Sequence, residues 1–420
     1  MSGHAPRQRP RSARAARLTP VDPPGTGARR AALRLLDAVL RRGLPLESAL
    51  DAAARDLDRL DDRALAHAIA AETLRRLPDL DALIDRATKQ RLADDAKARF
   101  ALWIALVQPL ALGTPPHAAI STVLPLVDGG PRRLVHGVFG AVMRAGWTLP
   151  EVPALPEPVA ARWREAWGDA VVAAAGRLIA MPPPVDLSFP LPGPPPALDG
   201  VSLAPGHLRL PRGTHVAELP GFAEGRFWVQ DISATRPARM LGEGHGRTVL
   251  DLCAAPGGKT MQLAAAGWRV TALDSSKSRL ARLADNLART GLAAEIVTAD
   301  AMKWRPPAPY DAILLDAPCS ATGIFRRHPD VLHRVRPRAI AALAETQQAM
   351  LARASAWLKP GGLLVYSVCS LEPEEGEAVV GRFREAHPDF TLEESERILP
   401  GAHEESGGAD AFYLARFRRN

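Results

Sequence analysis

The spacing of apolar residues divides the chain into two long parts, and the first part is helical. From residue 28 to residue 146, apolar residues recur at intervals of three and four positions, as in AALRLLDAVLRRG and ALAHAIAAETLRRL. This is the period of an amphipathic helix, and turn signals such as Gly43-Leu44-Pro45 and Pro78-Asp79 separate the successive stretches. The pattern predicts a compact all-α domain over residues 28–146.

The second part begins near residue 241, where short apolar runs alternate with helical segments. RTVLDLC, WRVTALD, AEIVTAD, YDAILLDAP and GLLVYSVCS have the length and composition of buried strands, and amphipathic stretches such as SKSRLARLADNLARTG lie between them. Strands that alternate with helices are typical of a parallel sheet covered on both faces. We therefore expect a doubly wound, Rossmann-like α/β domain over residues 241–420.

Two regions fit neither pattern. Residues 1–27 contain five arginines among Pro, Ser, Gly and Ala, which predicts a disordered basic arm. Residues 147–240 are interpreted as a linker and a small RNA-binding subdomain, with HLRLP and RFWVQD as short strand candidates. Within this region, eight prolines in residues 181–196 predict an extended connector or surface loop, not a core element.

Composition narrows the class of protein. Over its 420 residues the chain carries a formal charge of +7, which indicates a polyanionic partner. Its three cysteines do not form the close pairs of a disulfide framework or a cysteine-rich zinc site. The chain also lacks an apolar run of membrane-spanning length and a secretory signal. We expect a cytoplasmic, monomeric protein that binds neither a membrane nor a metal.

Ligands of doubly wound sheets bind beyond the carboxyl ends of the strands, and the first predicted strand ends in a glycine turn. In DLCAAPGGKT, Gly257 and Gly258 allow the backbone to approach a ligand and lead into a helix whose first amides point at it. The spacing matches neither the dinucleotide pattern G-x-G-x-x-G nor the Walker phosphate loop. A dinucleotide or a nucleoside triphosphate is therefore disfavoured.

Aspartates end three of the predicted strands. Asp274 follows the second strand, at the distance from the glycine turn where a carboxylate accepts hydrogen bonds from ribose hydroxyls. Asp300 follows the third strand, in position to meet an adenine amino group or a neighbouring amide. Each aspartate alone is also explained as a helix cap or a turn residue. Together with Asp316 and the glycine turn, they predict a nucleoside-type cofactor.

Two cysteines follow two of the strands, Cys319 in DAPCS and Cys369 in SVCS. A thiolate that adds to C6 of a cytosine or uracil ring makes C5 nucleophilic, while a carboxylic acid such as Asp316 supplies a proton or hydrogen bond to the ring nitrogen. A thiol of ordinary pKa, roughly 8.5, needs a positive neighbourhood to ionise at neutral pH. The candidates for that neighbourhood are Lys259, Arg326, Arg327 and His328.

The residues alone leave open which of the two cysteines is the nucleophile. The third cysteine, Cys253, is best explained as a small buried hydrophobe. The segment GIFRRHPD beside Cys319 offers the charges of Arg326, Arg327 and His328 to a phosphate backbone.

Four motifs, taken together and in order, resemble those of the Sun/Fmu-type RNA (cytosine-5)-methyltransferases. They are DLCAAPGGKT, LLDAPCSATGIFRRHPD, LVYSVCSLEPEE and LPGAHEESGGADAFYLARF. The helical part resembles the NusB-type RNA-binding domain that precedes the catalytic part in this family. The resemblance covers residues 28–420.

This resemblance implies a function and assigns roles to the candidate residues. The implied reaction is methylation of C5 of a cytosine in small-subunit ribosomal RNA, with Cys369 as the nucleophile and Cys319 assisting proton removal or product release. The implied cofactor is S-adenosylmethionine. The residues implied to bind it are Cys253, Ala254, Ala255, Pro256, Gly257, Gly258, Lys259, Asp274, Asp300 and Asp316.

The chain departs from the family pattern at three places. Thr235 stands where a Gln is usual, Val368 replaces the Thr before the nucleophilic cysteine, and residues 181–196 lack an Arg and an Asn that contact RNA. Three other functions compete with the implied one. They are a DNA cytosine methyltransferase that uses Cys319, an RNA-binding assembly factor that has lost catalysis, and a methyltransferase for exocyclic amino groups.

Overall fold

The computed structural model describes residues 22–180, 183–191, 193 and 195–420. Most of the basic arm predicted for residues 1–27 lies outside these ranges. The first described part, residues 22–145, contains seven α-helices. They are α1 Thr26–Leu40, α2 Leu46–Ala53, α3 Leu60–Arg75, α4 Leu77–Ala87, α5 Lys97–Ala111, α6 Pro116–Val123 and α7 Gly129–Ala145.

Helix α5 is the centre of the helical domain. Its sequence, KARFALWIALVQPLA, is apolar on every side, and the stretch from Ala98 to Gln108 is buried throughout. A helix that is apolar all round is stable only when neighbours cover it, and α1, α3, α4, α6 and α7 do so. The one basic residue buried in this helix, Arg99, donates to Asp81 at 2.5 Å and to Asp85 at 2.6 Å.

The segment after the helical domain packs on the α/β part of the chain. It forms two helices, α8 Glu157–Trp167 and α9 Asp169–Ile179. Trp163 of α8 is fully buried against Phe325, with ring centroids 5.5 Å apart, and its indole Nε1 donates to Glu372 at 3.2 Å. Part of the predicted linker is therefore core.

A small antiparallel sheet follows, in the order β2, β1, β3. Its strands are β1 Val185–Ser188, β2 His207–Leu210 and β3 Trp228–Val229. The strand β1 lies inside the proline-rich segment, so the prediction of a connector without core residues was wrong. The four residues VDLS contain no proline and pair fully with β2, and Leu187 is completely buried.

A seven-stranded sheet forms the core of the α/β domain, in the order β6, β5, β4, β7, β8, β10, β9. Its strands are β4 Thr248–Leu252, β5 Arg269–Asp274, β6 Glu295–Thr298, β7 Tyr310–Asp316, β8 Leu358–Val368, β9 Phe390–Ile398 and β10 Phe412–Arg419. The first five strands in the spatial order are parallel, and β10 is antiparallel to both of its neighbours. The doubly wound fold is confirmed, and β9 and β10 are strands that the apolar pattern did not predict.

Six helices belong to this part of the chain. They are α10 Arg236–Arg239, α11 Gly258–Ala265, α12 Lys277–Thr290, α13 Val331–Arg334, α14 Pro337–Ser355 and α15 Glu377–Ala386. The spatial order of the strands reverses between β4 and β7, which is where such sheets bind ligands. Among the described residues, no helix is both long enough and apolar enough to cross a bilayer.

The helical domain contacts the α/β domain at the segment around α13. His333 donates from Nε2 to the carbonyl of Leu74 at 2.7 Å, and burial lowers the pKa of His333 to about 4, so that the ring is neutral. Arg75 donates to the carbonyl of Arg326 at 3.2 Å. These contacts join the last turn of α3 to the segment that follows Cys319.

A buried ion pair between β1 and β2 holds the small sheet together. Arg209 donates to Asp186 through Nε at 2.6 Å and Nη2 at 2.7 Å, and the amide of Ile232 donates to the same carboxylate at 3.0 Å. Burial alone would raise the pKa of Asp186, but the Arg209 fork and the His207 ring outweigh it and the pKa lies well below its usual range.

Asp186→Ala is expected to lower the free energy of unfolding by about 3 kcal/mol, because it leaves the Arg209 charge buried without its partner. Urea unfolding at pH 7 measures this. Asp199→Ala, at an exposed position of the same region, should change it by less than about 0.5 kcal/mol. Since the folded-state pKa is depressed, the difference between wild type and Asp186→Ala should shrink as the pH falls below about 4. Equal stability of the two variants at pH 7 would contradict this assignment.

Candidate active site

The turn after β4 contains two positions where the packing leaves little room for a side chain. Gly257 has φ of 109°, and a Cβ there would lie 2.9 Å from Cγ of Leu283. Gly258 begins α11, and a Cβ on it would meet the Gln230 side chain at 3.3 Å. Both positions are therefore suited to glycine, and the turn leads directly into the first amides of α11.

Asp274, at the end of β5, is bound to this turn. Its carboxylate accepts from the amide of Ala255 at 3.2 Å and from the amide of Ser276 at 2.8 Å, and the side chain is 3% exposed. Arg279 of α12 lies 3.7 Å from the same carboxylate and also donates to the carbonyl of Ala255. Asp274 thus holds the glycine turn beside the end of β5.

Asp300 lies two residues beyond β6 and differs from Asp274 in exposure. Its Oδ1 accepts from the amide of Met302 at 2.9 Å, as expected of a turn residue, and its side chain is 49% exposed. The glycine turn and the two carboxylates fit the parts of S-adenosylmethionine. Helix amides suit its carboxylate, and acidic oxygens suit its ribose hydroxyls and adenine amino group.

Asp316 ends β7 and is held by two side chains, one from α11 and one from β8. Nζ of Lys259 donates to its Oδ2 at 2.7 Å, and Oγ of Ser367 donates to its Oδ1 at 2.8 Å. Burial acts to lower the pKa of Lys259, but the Asp316 carboxylate outweighs it and the pKa is raised. Ser367 was not predicted, although it belongs to the same SVCS motif as Cys369.

The two strand-end cysteines are adjacent. Sγ of Cys319 and Sγ of Cys369 lie 3.5 Å apart, and both side chains are partly buried. The hydrogen bond with Cys369, together with burial, raises the pKa of Cys319 well above its ordinary value.

Cys253 belongs to a different environment. It follows β4 with a φ of 63°, and burial raises its pKa to about 12, with the neighbouring carboxylates acting in the same direction. This thiol stays protonated, in agreement with its interpretation as a structural cysteine.

The three basic residues predicted to contact RNA have different surroundings. Arg326 is 1% exposed and donates to Asp231 at 2.8 Å and Asp410 at 3.3 Å. The structure does not support an RNA contact for Arg326, because its charge is already paired inside the protein. Arg327 is exposed but pairs with Asp410. Burial and the neighbouring Arg327 charge both lower the pKa of His328.

Two of the departures from the family pattern can be located. Thr235 is buried, donates to the carbonyl of Ile232 at 2.7 Å, and accepts at its own carbonyl from Gln262 of α11 at 3.3 Å. It therefore supports the helix that begins at the glycine turn. Val368 is completely buried at the end of β8 and leaves Cys369 in the predicted position.

The arrangement defines a class of enzyme. A doubly wound sheet whose first strand ends in a glycine turn, with carboxylates after the next two strands, is that of an S-adenosylmethionine-dependent methyltransferase.

Within the described ranges, no group of three or more His, Cys, Asp or Glu side chains is placed to hold a metal ion.

Comparison with known proteins defines the family. Residues 238–418 match the family model of 16S rRNA methyltransferase RsmB/F, and residues 26–145 match the NusB family. The ribosomal RNA small subunit methyltransferase B of Erwinia tasmaniensis is 33% identical over 93% of this chain and 98% of its own length. The corresponding protein of Xylella fastidiosa is 35% identical over the same shares of the two chains.

Solved structures agree on the fold. The crystal structure of PH0851 aligns with a TM-score of 0.71 and 22% identity over 95% of this chain and all of that one. A methyltransferase homologue from Pyrococcus horikoshii aligns with a TM-score of 0.53 and 24% identity over 66% of this chain and 97% of that one.

The chain belongs to the RsmB/F family of 16S rRNA methyltransferases and carries the NusB-family domain at its amino-terminal side. It is an RNA methyltransferase with S-adenosylmethionine as its cofactor. The predicted family, fold, enzyme class and cofactor are thereby confirmed, whereas the roles of the individual residues remain predictions.

Asp274→Ala is expected to weaken binding of S-adenosylmethionine by about 30-fold, because about 2 kcal/mol of charge-assisted hydrogen bonding to the turn is lost. Isothermal titration calorimetry of the whole chain measures the Kd. Asp285→Ala, at an exposed position on α12, is the matched control and should leave the Kd unchanged. A Kd for Asp274→Ala within threefold of wild type would exclude the role assigned to this carboxylate.

Proposed function

We propose that this protein methylates C5 of a cytosine in small-subunit ribosomal RNA through a covalent bond between Cys369 and C6 of the base. The observation that carries the proposal is the pair of sulfurs 3.5 Å apart, beside the paired Asp316 and Lys259. Bound S-adenosylmethionine supplies an electrophilic methyl group. The chain's own residues make C5 nucleophilic and hold the base.

The nucleophile is assigned to Cys369. The resemblance to the family implies this role for the cysteine of the SVCS motif, and its sulfur lies 3.5 Å from that of Cys319. The raised pKa of Cys319 keeps that thiol protonated, so Cys319 donates a hydrogen bond to the Cys369 thiolate. The thiolate adds to C6, a C–S bond forms, and the electron pair of the C5=C6 bond becomes available at C5.

The ring nitrogen gains a proton as the thiolate adds. Lys259 carries a proton 2.7 Å from the Asp316 carboxylate, and Asp316 is the group that passes it on to the ring. The Ser367 hydroxyl bound to the other carboxylate oxygen fixes the orientation of Asp316. Lys259 and Asp316 therefore act together as the general acid.

Cys319 acts in the second half of the reaction. After C5 has accepted the methyl group, the C5 proton leaves to water and the C–S bond breaks, which restores the C5=C6 bond and the Cys369 thiolate, and the ring nitrogen returns its proton through Asp316 to Lys259. Cys319 is the side chain beside that sulfur. It assists either the departure of Cys369, as a protonated thiol that donates a hydrogen bond to the leaving sulfur, or the removal of the C5 proton, after its own proton has been released to the solvent. Both roles predict that the adduct persists when Cys319 is lost.

The substrate assignment rests on the family and on the domain organisation. The curated relatives named above are ribosomal RNA small subunit methyltransferases, and the NusB-family domain is joined to the segment after Cys319. We assign the helical domain to RNA binding, with the target base turned out of its stack to reach the thiols. A ribosomal RNA substrate supports a cytoplasmic location for the protein.

Cys369→Ala is expected to abolish both methyl transfer and the covalent adduct, whereas Cys319→Ala should accumulate adduct and form little product. Transfer from labelled cofactor to small-subunit ribosomal RNA measures the product, and a denaturing gel resolves the adduct.

The same assay separates the alternatives. DNA of the same sequence is the control substrate and should remain unlabelled. Full activity of Cys369→Ala would assign the nucleophile to Cys319, as in DNA cytosine methyltransferases. Failure of the wild type to form product or adduct with RNA would favour a non-catalytic assembly factor.

Asp316→Asn is expected to lower kcat by about 100-fold or more, because the amide cannot pass a proton from Lys259 to the ring. The Kd for S-adenosylmethionine should change much less, since Asn keeps the size of the side chain and a hydrogen-bond acceptor. Single-turnover methyl transfer and calorimetry give the two quantities. A large increase in Kd with unchanged kcat would place Asp316 with the cofactor instead of the base.

A further inference from the structure

A buried carboxylate lies directly behind the two cysteines. Glu375 is completely buried in the loop between β8 and α15. Its Oε1 accepts from the amide of Ser320 at 2.9 Å and from Nε2 of Gln347 at 3.0 Å. Its Oε2 accepts from Oγ of Ser370 at 2.5 Å and also from Oγ of Ser320. Four donors therefore converge on one carboxylate, which is an acceptor at both oxygens.

Three of the four donors belong to the residues that follow the two cysteines. Ser320 follows Cys319 in the loop after β7, and Ser370 follows Cys369 in the loop after β8. The two loops are far apart in sequence, and Glu375 is bonded to both. The sheet brings the loops to one edge, and the carboxylate fixes them to each other.

A second layer of hydrogen bonds holds the carboxylate and the other side of Cys319. Gln347 of α14 donates from Nε2 to the carbonyl of Pro318 at 3.0 Å, so the residues before and after Cys319 are both restrained. The Tyr366 hydroxyl lies 3.1 Å from Oε1 of Gln347 and 2.5 Å from the carbonyl of Glu375. Glu375 thus has few ways to move without breaking several buried hydrogen bonds.

We propose that Glu375 is a positioning residue that sets the distance and orientation of the Cys319 and Cys369 sulfurs by tying the two cysteine loops together. Its importance for catalysis rests on the proposed thiol mechanism, whereas its effect on the sulfur pair does not. Misplacement of a reacting group by about 1 Å can cost roughly 100-fold in rate. The Ser-Glu-Ser bridge prevents such a displacement.

The first test compares Glu375→Ala and Glu375→Gln with Glu374→Ala, the exposed neighbour in the same loop. Glu375→Ala should lower the single-turnover rate of methyl transfer by about 100-fold, with the KM for S-adenosylmethionine within about threefold of wild type. The rate of Glu375→Gln should be about tenfold higher than that of Glu375→Ala, because the carbonyl oxygen of the Gln side chain still accepts from Ser320 and Gln347. Glu374→Ala should behave as wild type.

The second test measures the sulfur pair without any methyl transfer. Diamide oxidises two adjacent thiols to a disulfide, and the two protons and two electrons reduce its N=N bond to a hydrazine. Peptide mass spectrometry after a timed reaction gives the rate of Cys319–Cys369 crosslinking in the full chain. Glu375→Ala should crosslink about tenfold more slowly than wild type, and Glu375→Gln should lie between them.

The two tests separate the proposals. If the wild type crosslinks but transfers no methyl group to RNA, the proposed function fails, and the crosslinking rates still decide the role of Glu375. If Glu375→Ala does not fold, as judged by thermal unfolding, Glu375→Gln carries the test. Wild-type rates of both reactions in the folded Glu375 variants, or an equal loss in Glu374→Ala, would overturn the positioning role.

Discussion

The parallel register of β7 and β8 is the constraint on which the site depends. Asp316 lies opposite Ser367 in this pair of strands, and the loops that follow bring the two sulfurs within 3.5 Å although 50 residues separate them in sequence. A shift of one residue would turn Asp316 or Ser367 to the opposite face of the sheet. The chemistry of the site is therefore a consequence of strand pairing in the core, where neither strand has freedom to slide.

Strand ends determine where the loops begin, and buried carboxylates determine where they go. Asp274 accepts the amide of Ala255, and Glu375 accepts the amide of Ser320. In both cases an acidic side chain is bonded to the backbone of a loop from another strand, so the loop is ordered before a ligand arrives. Order of this kind reduces the reorganisation that binding and catalysis require.

Features whose signal is local were predictable from the sequence. The helical period indicated the all-α domain, and the strand-end motifs indicated the glycine turn, Asp316 and both cysteines. The strand β9 was missed because it is an edge strand whose residues are mostly exposed or partly buried, so it has no apolar run. The strand β1 was missed because prolines on both sides concealed four residues that pair normally.

The error at Arg326 has a different cause. A run of basic residues normally indicates a solvated face. Arg326 is instead buried and paired with Asp231 and Asp410, which lie 95 and 84 residues away in sequence. Nothing near Arg326 in the chain announces these partners. Buried ion pairs between distant segments are for this reason the part of the site that a single sequence reveals least.

The segment that contains Arg326 also relates the helical domain to the thiols. At one end, the amide of Gly323 donates to the carbonyl of Cys369 at 3.0 Å, and a Cβ on Gly323 would lie 2.1 Å from the carbonyl oxygen of Ala411. At the other end, His333 donates to the carbonyl of Leu74. Because both ends are fixed by buried contacts, the last turn of α3 lies at a fixed distance from the sulfur pair. The contacts that fold the segment therefore also set the position of the helical domain relative to the two cysteine loops.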